Sequence, residues 1–460
     1  MAVNKSVQLS AVAQSDVEFH LHSQTNLSTH QQQGPLVIKR GSGIYVIDEN
    51  DRQYLEGMSG LWCAGLGFSN TRLVDAATRQ MQVLPYYHTF NHRVSDVVAQ
   101  LAERIGQLVP IPNPKIFFAC SGSEANDSMV KLAWAYHKAR GNPGKRAFIA
   151  HTKGYHGSTV MGASLSGLPS MHTAFGLTSD GIHHVECPHH YRFGLENETE
   201  EQFKHRLLSQ LERRIEEIGA DNIAAFISEP ILGAGGVIVP PAGYFEGVQT
   251  LLRKNDILFL ADEIICGFGR TGQWFGHQTM GFAPDMMSTA KSLSSAYLPI
   301  SCVTVGGHVY EAIERQSGQL AGFGHGFTYS GHPVAAAVAL ETLTIYEEMN
   351  LPQRTRHLGE FLHQQLTPLL QHPLVGEVRG IGLIAGIELV ANKATRESCP
   401  ASAAIGSQVE LAARNHGLIV RNMGDSIALC PPFIIEEQDI IELVARLTGA
   451  LDDVAQANGL

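Results

Sequence analysis

The sequence predicts an α/β fold: an open, largely parallel sheet flanked by helices, with a second, smaller α+β domain. Three observations carry this. Between residue 115 and about residue 305, short apolar runs alternate with segments of helical period. That alternation is the pattern of a parallel sheet whose connections are helices. Two of the runs end abruptly on charge: Leu258-Phe259-Leu260-Ala261 meets Asp262 and Glu263, and Met286-Met287-Ser288-Thr289-Ala290 meets Lys291. In an open parallel sheet such strand ends line the ligand crevice. Beyond residue 333, long amphipathic segments dominate, broken by short strand-like pieces.

Taken in order, residues 1–33 are polar and rich in Gln, His and Ser, without the basic head and apolar core of a signal peptide. They are expected to form an arm that orders on a partner surface. Residues 35–56 alternate as a hairpin, with Glu49-Asn50-Asp51 as a turn. Val97, Leu101, Ile105 and Leu108 recur at helical spacing and predict a helix over 94–108. The predicted strands of the central region are 116–118, 147–150, 223–227, 257–261, 286–290 and 300–305. Helices are expected over about 200–218, 333–349, 353–371, 401–416 and 436–455, a hairpin over 376–389 and a strand over 426–430. The corresponding division is an N-terminal arm and hairpin belonging to the small domain (1–70), a large domain (71–335) and a C-terminal small domain (336–460). The N-terminal hairpin and the C-terminal third should pack on the same side of the large domain.

The composition excludes several classes. With 460 residues, 44% hydrophobic and 17% charged, the chain has the make-up of a soluble globular protein. A formal charge of −11 argues against nucleic acid or acidic membranes as partners. No apolar run is long enough to span a bilayer. The 7 cysteines are scattered, odd in number and form no CxxC pair. They favour reduced thiols and a cytoplasmic location.

The chemistry concentrates at strand ends. An amine and a carboxylate delivered to one crevice are the two groups that pyridoxal phosphate needs, the amine for a Schiff base and the acid for the pyridine nitrogen. Burial next to other groups makes a lysine nucleophilic, although Lys291 could equally end a strand at the water. Ser121-Gly122-Ser123 follows the run 116–118 and precedes a helix. A helix N-terminus there would bind phosphate, although the same triplet is also an ordinary helix cap. Tyr155, just past the run 147–150, is placed to stack on a ring or to pack over the sheet edge. The cluster His183-His184-Val185-Glu186-Cys187-Pro188-His189-His190 matches no standard zinc spacing, and no metal is expected. Gly233-Ala234-Gly235-Gly236 is not a dinucleotide fingerprint.

Together these segments resemble the class III pyridoxal-phosphate aminotransferases, most nearly the ω-aminotransferases that pair an amine or ω-amino acid with pyruvate. The resemblance rests on Leu260-Ala261-Asp262-Glu263-Ile264, Gly267-Phe268-Gly269-Arg270-Thr271-Gly272, Lys291, Gly60-Leu61-Trp62-Cys63, Leu84 to Phe90, Glu229-Pro230, His325-Gly326-Phe327-Thr328 and Cys430-Pro431-Pro432. It implies a fold-type I subunit with a mostly parallel seven-stranded sheet, active as a homodimer or homotetramer. Lys291 would hold the cofactor and Asp262 its ring nitrogen. Tyr155 and Ile264 would cover the ring faces, with Glu229 close by. Ser121, Gly122 and Ser123 would hold the phosphate, joined by Phe327 and by Thr328 of the partner subunit. Trp62, Tyr155 and Phe90 (Phe90 of the partner subunit) would wall the substrate pocket, and Arg421 would clamp a carboxylate.

Two departures bear on substrate. Where α-ketoglutarate-using members carry a glutamate that pairs with the arginine, this chain has Ala234, which favours pyruvate. Where members often carry a pocket phenylalanine, it has Gln24, which favours longer aliphatic amines or ω-amino acids over aryl amines. The expected reaction is ping-pong transamination of small-molecule amine and keto acid. Rival readings are a decarboxylase or aminomutase of the same fold, or a non-catalytic ligand-binding relative.

Overall fold

The computed structural model describes residues 9–177, 180–320 and 322–459. The chain begins with two short helices, Ala11–Phe19 and Leu27–Gln33, whose first turns are capped by the Ser10 and Asn26 side chains. The expected arm is thus helical within the chain itself; its first eight residues lie outside the described residues. An antiparallel meander follows: β1 (Ile38–Ser42), β2 (Tyr45–Asp48) and β3 (Gln53–Glu56). Gly43, at φ +56°, makes the β1–β2 turn.

The large sheet is built from β4 (Lys115–Ala119), β5 (Ala147–His151), β6 (Ile182–Val185), β7 (Ile223–Ser228), β8 (Leu258–Asp262), β9 (Met286–Thr289) and β10 (Ser301–Val305). Its order is β4-β10-β9-β8-β7-β5-β6, and only β10 runs against its neighbours. This is the expected seven-stranded, mostly parallel sheet. Strands β7, β8 and β9 are buried at every position, because helices cover both faces of a parallel sheet. That is why β7 and β8 appear in the sequence as nearly continuous apolar runs, while β9 pairs Met286 and Met287 with the buried hydroxyls of Ser288 and Thr289. β6 was not expected. Two of its four residues are His183 and His184, and it sits at the sheet edge, where short polar strands suffice and discourage further pairing.

The connecting helices follow their sequence signals. Glu200–Ile218 starts with a reciprocal Thr199/Gln202 capping box and buries Phe203, Leu207, Leu211 and Ile215 on one stripe. Gly122–Ala139 starts with a Ser121/Glu124 capping box. In the last third, β11 (Val375–Gly380), β12 (Ala385–Leu389), β14 (Arg421–Asn422) and β15 (Ser426–Leu429) form a second sheet, while β13 (Leu418–Ile419) joins β3 in parallel, Leu418 opposite Leu55. This pairing ties the N-terminal meander to the C-terminal third. Two helix ends differ from expectation. The segment 353–371 is a helix, Leu351–Leu366, with a 3-10 extension over Thr367–Gln371, because Pro368 has no N–H to give. The helix expected from 401 begins at Ile405, because Ala404 is left-handed at φ +49°. All seven cysteines are free, and no described helix is long and apolar enough to cross a membrane.

Candidate active site

Strands β8 and β9 pair in parallel with Asp262 opposite Ser288. Asp262 therefore ends one strand while Lys291 begins the 3-10 turn Lys291–Leu293 just beyond its neighbour. Both open into a cavity of about 400 Å³ at the C-terminal edge of the parallel strands, lined also by Ser121, Gly122, Ser123, Tyr155, His156, Glu229, Ile264 and Cys63. The structure thus brings Ser121, Gly122, Ser123, Tyr155, Glu229, Asp262, Ile264 and Lys291 to one place. The adjacent carboxylate, Glu263, points away. It accepts from the Gly276 and His277 backbone N–H groups (2.8 and 2.6 Å) and from His277 Nδ1 (2.8 Å), and so braces the following loop.

Asp262 is 3% exposed, and its carboxylate is held from three sides. Oδ2 accepts from Asn126 Nδ2 at 2.7 Å and from His156 Nδ1 at 2.9 Å, and Oδ1 from the Ile264 N–H at 3.2 Å. Asn126 is fixed in turn, accepting from Ser288 Oγ at 2.7 Å and donating to the His156 carbonyl at 2.7 Å. An ionised carboxylate only accepts, so this geometry places a proton on His156 Nδ1. Sequence reasoning assigned no role to Asn126, His156 or Ser288. The one available signal was Asn126 itself, a polar residue on the helix face that buries Met129, Val130 and Ala133.

Glu229 accepts from the Tyr155 N–H (2.9 Å) and the Gly233 N–H (2.9 Å), locking the Tyr155 loop to β7. Burial, reinforced by the charge of Asp262, pushes its carboxyl up to about 7. Glu56 is a second buried carboxylate that accepts from backbone. It is buried at the end of β3 and accepts from the Met58 N–H at 2.9 Å, at the root of the turn that carries Trp62. Burial pushes the Glu56 carboxyl from 4.5 up to about 7. Across that interval the folded chain keeps a proton that the unfolded chain has lost, so this group lowers stability as pH rises. Glu56→Gln keeps the acceptor and removes the titration. Its thermal midpoint, relative to the wild type, should therefore climb between about pH 5 and about pH 8. A difference that stays constant with pH in thermal melts would contradict this.

A second cavity of about 350 Å³ opens outward from the first, sharing Tyr155, Ile265 and Lys291, and is lined by Gln24, Trp62, Lys153, Ala234, Arg421 and Met423. Trp62 is buried, and Gln24 Nε2 reaches Met171 Sδ at 3.4 Å. Phe90, Phe327 and Thr328 are not brought to this site. Phe90 is 43% exposed and covers Gly326; Phe327 packs beside Phe117 with ring centroids 6.2 Å apart; and the Thr328 carbonyl accepts from the Tyr86 hydroxyl at 2.8 Å. Phe90 and Thr328 are exposed and Phe327 is half-buried on the chain that carries them. The run Gly267 to Gly272 does not line either cavity. Its Arg270 is fully buried, donates to the Leu383 and Pro431 carbonyls (3.0 and 2.7 Å) and lies over the Phe433 ring at 4.0 Å. It is a joint between the large sheet and the C-terminal third.

The histidine-rich segment 183–190 is dispersed. His184 meets the Leu165 carbonyl, His190 the Glu198 carbonyl, and His189 the Glu377 carboxylate at 2.8 Å.

The residues present suit pyridoxal phosphate. The first N–H groups of the Gly122–Ala139 helix have no intrahelical acceptor, and its dipole favours an anion. A Cβ on Gly122 would lie 2.6 Å from Ile264 Cδ1, so this end of the cavity admits only bare backbone. The anion cradle, the amine of Lys291 and the fixed carboxylate of Asp262 all face the same space.

Comparison with known proteins agrees with this geometry. The profile of the family "Aminotransferase class-III" matches residues 27–451. A chloroplastic γ-aminobutyrate transaminase 3 of Solanum lycopersicum is 47% identical over 420 residues, 91% of this chain and 81% of the relative. Vanillin aminotransferase of Capsicum chinense is 46% identical over 420 residues, 91% and 92% of the two chains. Among solved structures, an ω-transaminase of Pseudomonas jessenii in complex with PMP superposes with a TM-score of 0.96 at 49% identity, covering 98% of this chain and 99% of that one. The PMP-bound aminotransferase of Vibrio fluvialis gives 0.95 at 38% identity, with coverage of 98% and 99%. Sequence, fold and cavity chemistry converge: the chain belongs to the class-III aminotransferases, pyridoxal-phosphate-dependent enzymes that transfer amino groups.

Proposed function

We propose that this enzyme moves the amino group of a primary amine or ω-amino acid to pyruvate, giving an aldehyde or ketone and alanine, the first carbonyl product leaving before pyruvate binds. The observation that carries the substrate reading is the outer cavity, where Arg421 shares the space with Lys291 while Ala234 occupies the wall. A methyl group cannot neutralise a guanidinium, so Arg421 remains available to a small keto acid or to the far carboxylate of an ω-amino acid. The name of the γ-aminobutyrate transaminase relative supports a donor of the second kind.

Pyridoxal phosphate, when bound, supplies the electron-accepting ring and the carrier of the amino group between the two substrates. Ser121, Gly122 and Ser123 would bind its phosphate at the helix N-terminus, and Tyr155 and Ile264 would orient its ring. Asp262 would hold a proton at the ring nitrogen, and Asn126 and His156 hold Asp262. Lys291 anchors the cofactor. Its Nζ, where free, would be the group in the inner cavity placed to take and return a proton at the substrate carbon. Glu229 keeps the Tyr155 loop in place. Trp62 and Gln24 shape the mouth. Phe90 and Thr328, exposed on one chain, and the half-buried Phe327 complete the site of the partner subunit in a homodimer or a dimer of dimers. The free cysteines support a reducing compartment, which we take to be the cytoplasm.

The test is a donor panel (4-aminobutyrate, β-alanine, putrescine, an aryl ethylamine) run against pyruvate and α-ketoglutarate in competition. Pyruvate should win by kcat/KM, and a clear preference for α-ketoglutarate would refute the argument from Ala234. Loss of a charged hydrogen-bond pair costs about 1.5–3 kcal/mol. Arg421→Ala should therefore raise the KM for pyruvate roughly 10- to 150-fold and leave that of a monoamine nearly unchanged. Equal effects on both substrates would remove Arg421 from carboxylate binding.

A further inference from the structure

The two N-terminal helices have almost no apolar core. Ala11–Phe19 buries only Ala13, and Leu27–Gln33 buries only His30. Where an apolar contact would be expected, three imidazoles meet one carboxylate. Asp16 Oδ2 contacts His22 Nε2 at 2.7 Å and His30 Nε2 at 3.1 Å, while Oδ1 contacts His20 Nδ1 at 2.9 Å. The rings crowd together, with centroids 4.4 Å apart for His20–His22 and 4.0 Å for His22–His30. One oxygen of Asp16 and one nitrogen each of His22 and His30 all lie within 4.8 Å of one another.

We propose that Asp16, His22 and His30 bind a divalent cation of the zinc type, which staples the N-terminal helices. Two imidazole nitrogens and a carboxylate oxygen are an ordinary ligand set for such an ion, with a fourth position open to water. His20 steadies the carboxylate from its other oxygen, as the outer hydrogen bonds of metal ligands do. A motif this small, lacking a core, is the kind that a metal stabilises. Among the described residues, the other three-residue cluster of this type, His189 with Glu377 and Glu388, differs. The Arg192 and Arg379 guanidiniums already neutralise it, at 2.5 Å and 2.7 Å from Glu388.

The staple has a consequence for the active site. The segment between His22 and His30 carries Gln24, left-handed at φ +48°, which lines the outer cavity with Trp62 and Arg421. A cation bridging the two ends of that segment fixes the residue that shapes the mouth of the pocket.

The test uses tag-free, full-length holoenzyme titrated with Zn²⁺, and with Co²⁺ as a visible reporter. Wild type should bind one equivalent that gives cobalt d–d absorption, and His30→Ala and Asp16→Asn should each weaken that binding at least tenfold. Phe19 and Leu21 are 79% and 76% exposed, so chymotrypsin reports on the arm. Zn²⁺ should slow cleavage there in the wild type and not in His30→Ala. Absence of stoichiometric binding, binding unchanged in both variants, or cleavage indifferent to Zn²⁺ would each overturn the proposal. Should a variant loosen the arm on its own, the wild-type titration and protection still decide the matter. Neither readout depends on transamination, so the result is independent of the reaction and substrate assigned above.

Discussion

Lys291→Ala should lose transamination by at least about 10³-fold while leaving the fold intact. Lys291 is the only lysine among the described residues lining the inner cavity, so no other amine can take its place. Positioned general base or acid action alone contributes about 10²- to 10⁴-fold, and in the proposed mechanism the same nitrogen also anchors the cofactor. The fold should tolerate the change for two reasons. The side chain ends in the cavity, so truncation leaves no sealed void. The backbone is left-handed at φ +45° with lysine already in place, and alanine bears that strain no worse. The measurement is alanine formation from pyruvate, with circular dichroism for the fold and visible absorption for cofactor attachment. Small exogenous amines should restore part of the rate, since the cavity left by the side chain can admit them. A rate within about tenfold of wild type would mean that another group moves the proton.

What could be read in advance followed from burial. β7 and β8 are buried on both faces, so they stand out as apolar runs, and the charged residues that end β8 and follow β9 marked the crevice. β6 was missed because an edge strand need not be apolar. The N-terminal helices were missed because one buried residue apiece leaves no helical period. Asp262 and Glu263 are adjacent and chemically alike; only the paired strand, which sets Asp262 opposite Ser288, decides which faces the cavity. The contacts of Asn126 and His156 with Asp262 span 136 and 106 residues of sequence. No local pattern encodes contacts at that distance. The Gly267–Gly272 run is the reverse case. It is the most recognisable segment, yet its arginine serves the joint with the C-terminal third and not the cavity. Phe90, Phe327 and Thr328 are legible only through family resemblance, because none of them lines either cavity of the chain that carries it.

Asp262→Asn should reduce the rate of the amine half-reaction by roughly 10²- to 10⁴-fold, more than its near-identical size suggests. Removing one partner of a buried charge pair costs about 3–5 kcal/mol, and each 1.36 kcal/mol expressed in the transition state is tenfold in rate. The surroundings worsen the exchange. Oδ2 now accepts from both Asn126 Nδ2 and His156 Nδ1. An asparagine that keeps its oxygen there presents its NH₂ toward the Ile264 N–H, which donated to Oδ1. The flipped amide sets NH₂ against two donors. Either way a buried donor loses its acceptor. Asn126→Ala separates charge from orientation, because it leaves the carboxylate and removes one of the bonds that hold it. Its loss should be smaller, and in the double variant most of the Asn126 effect should vanish, since Asn126 acts through Asp262. Stopped-flow absorbance of the half-reaction in the three variants reads this directly. Strict additivity would show that Asn126 serves the helix and not the carboxylate, and an Asp262→Asn enzyme with wild-type rates would remove Asp262 from the chemistry.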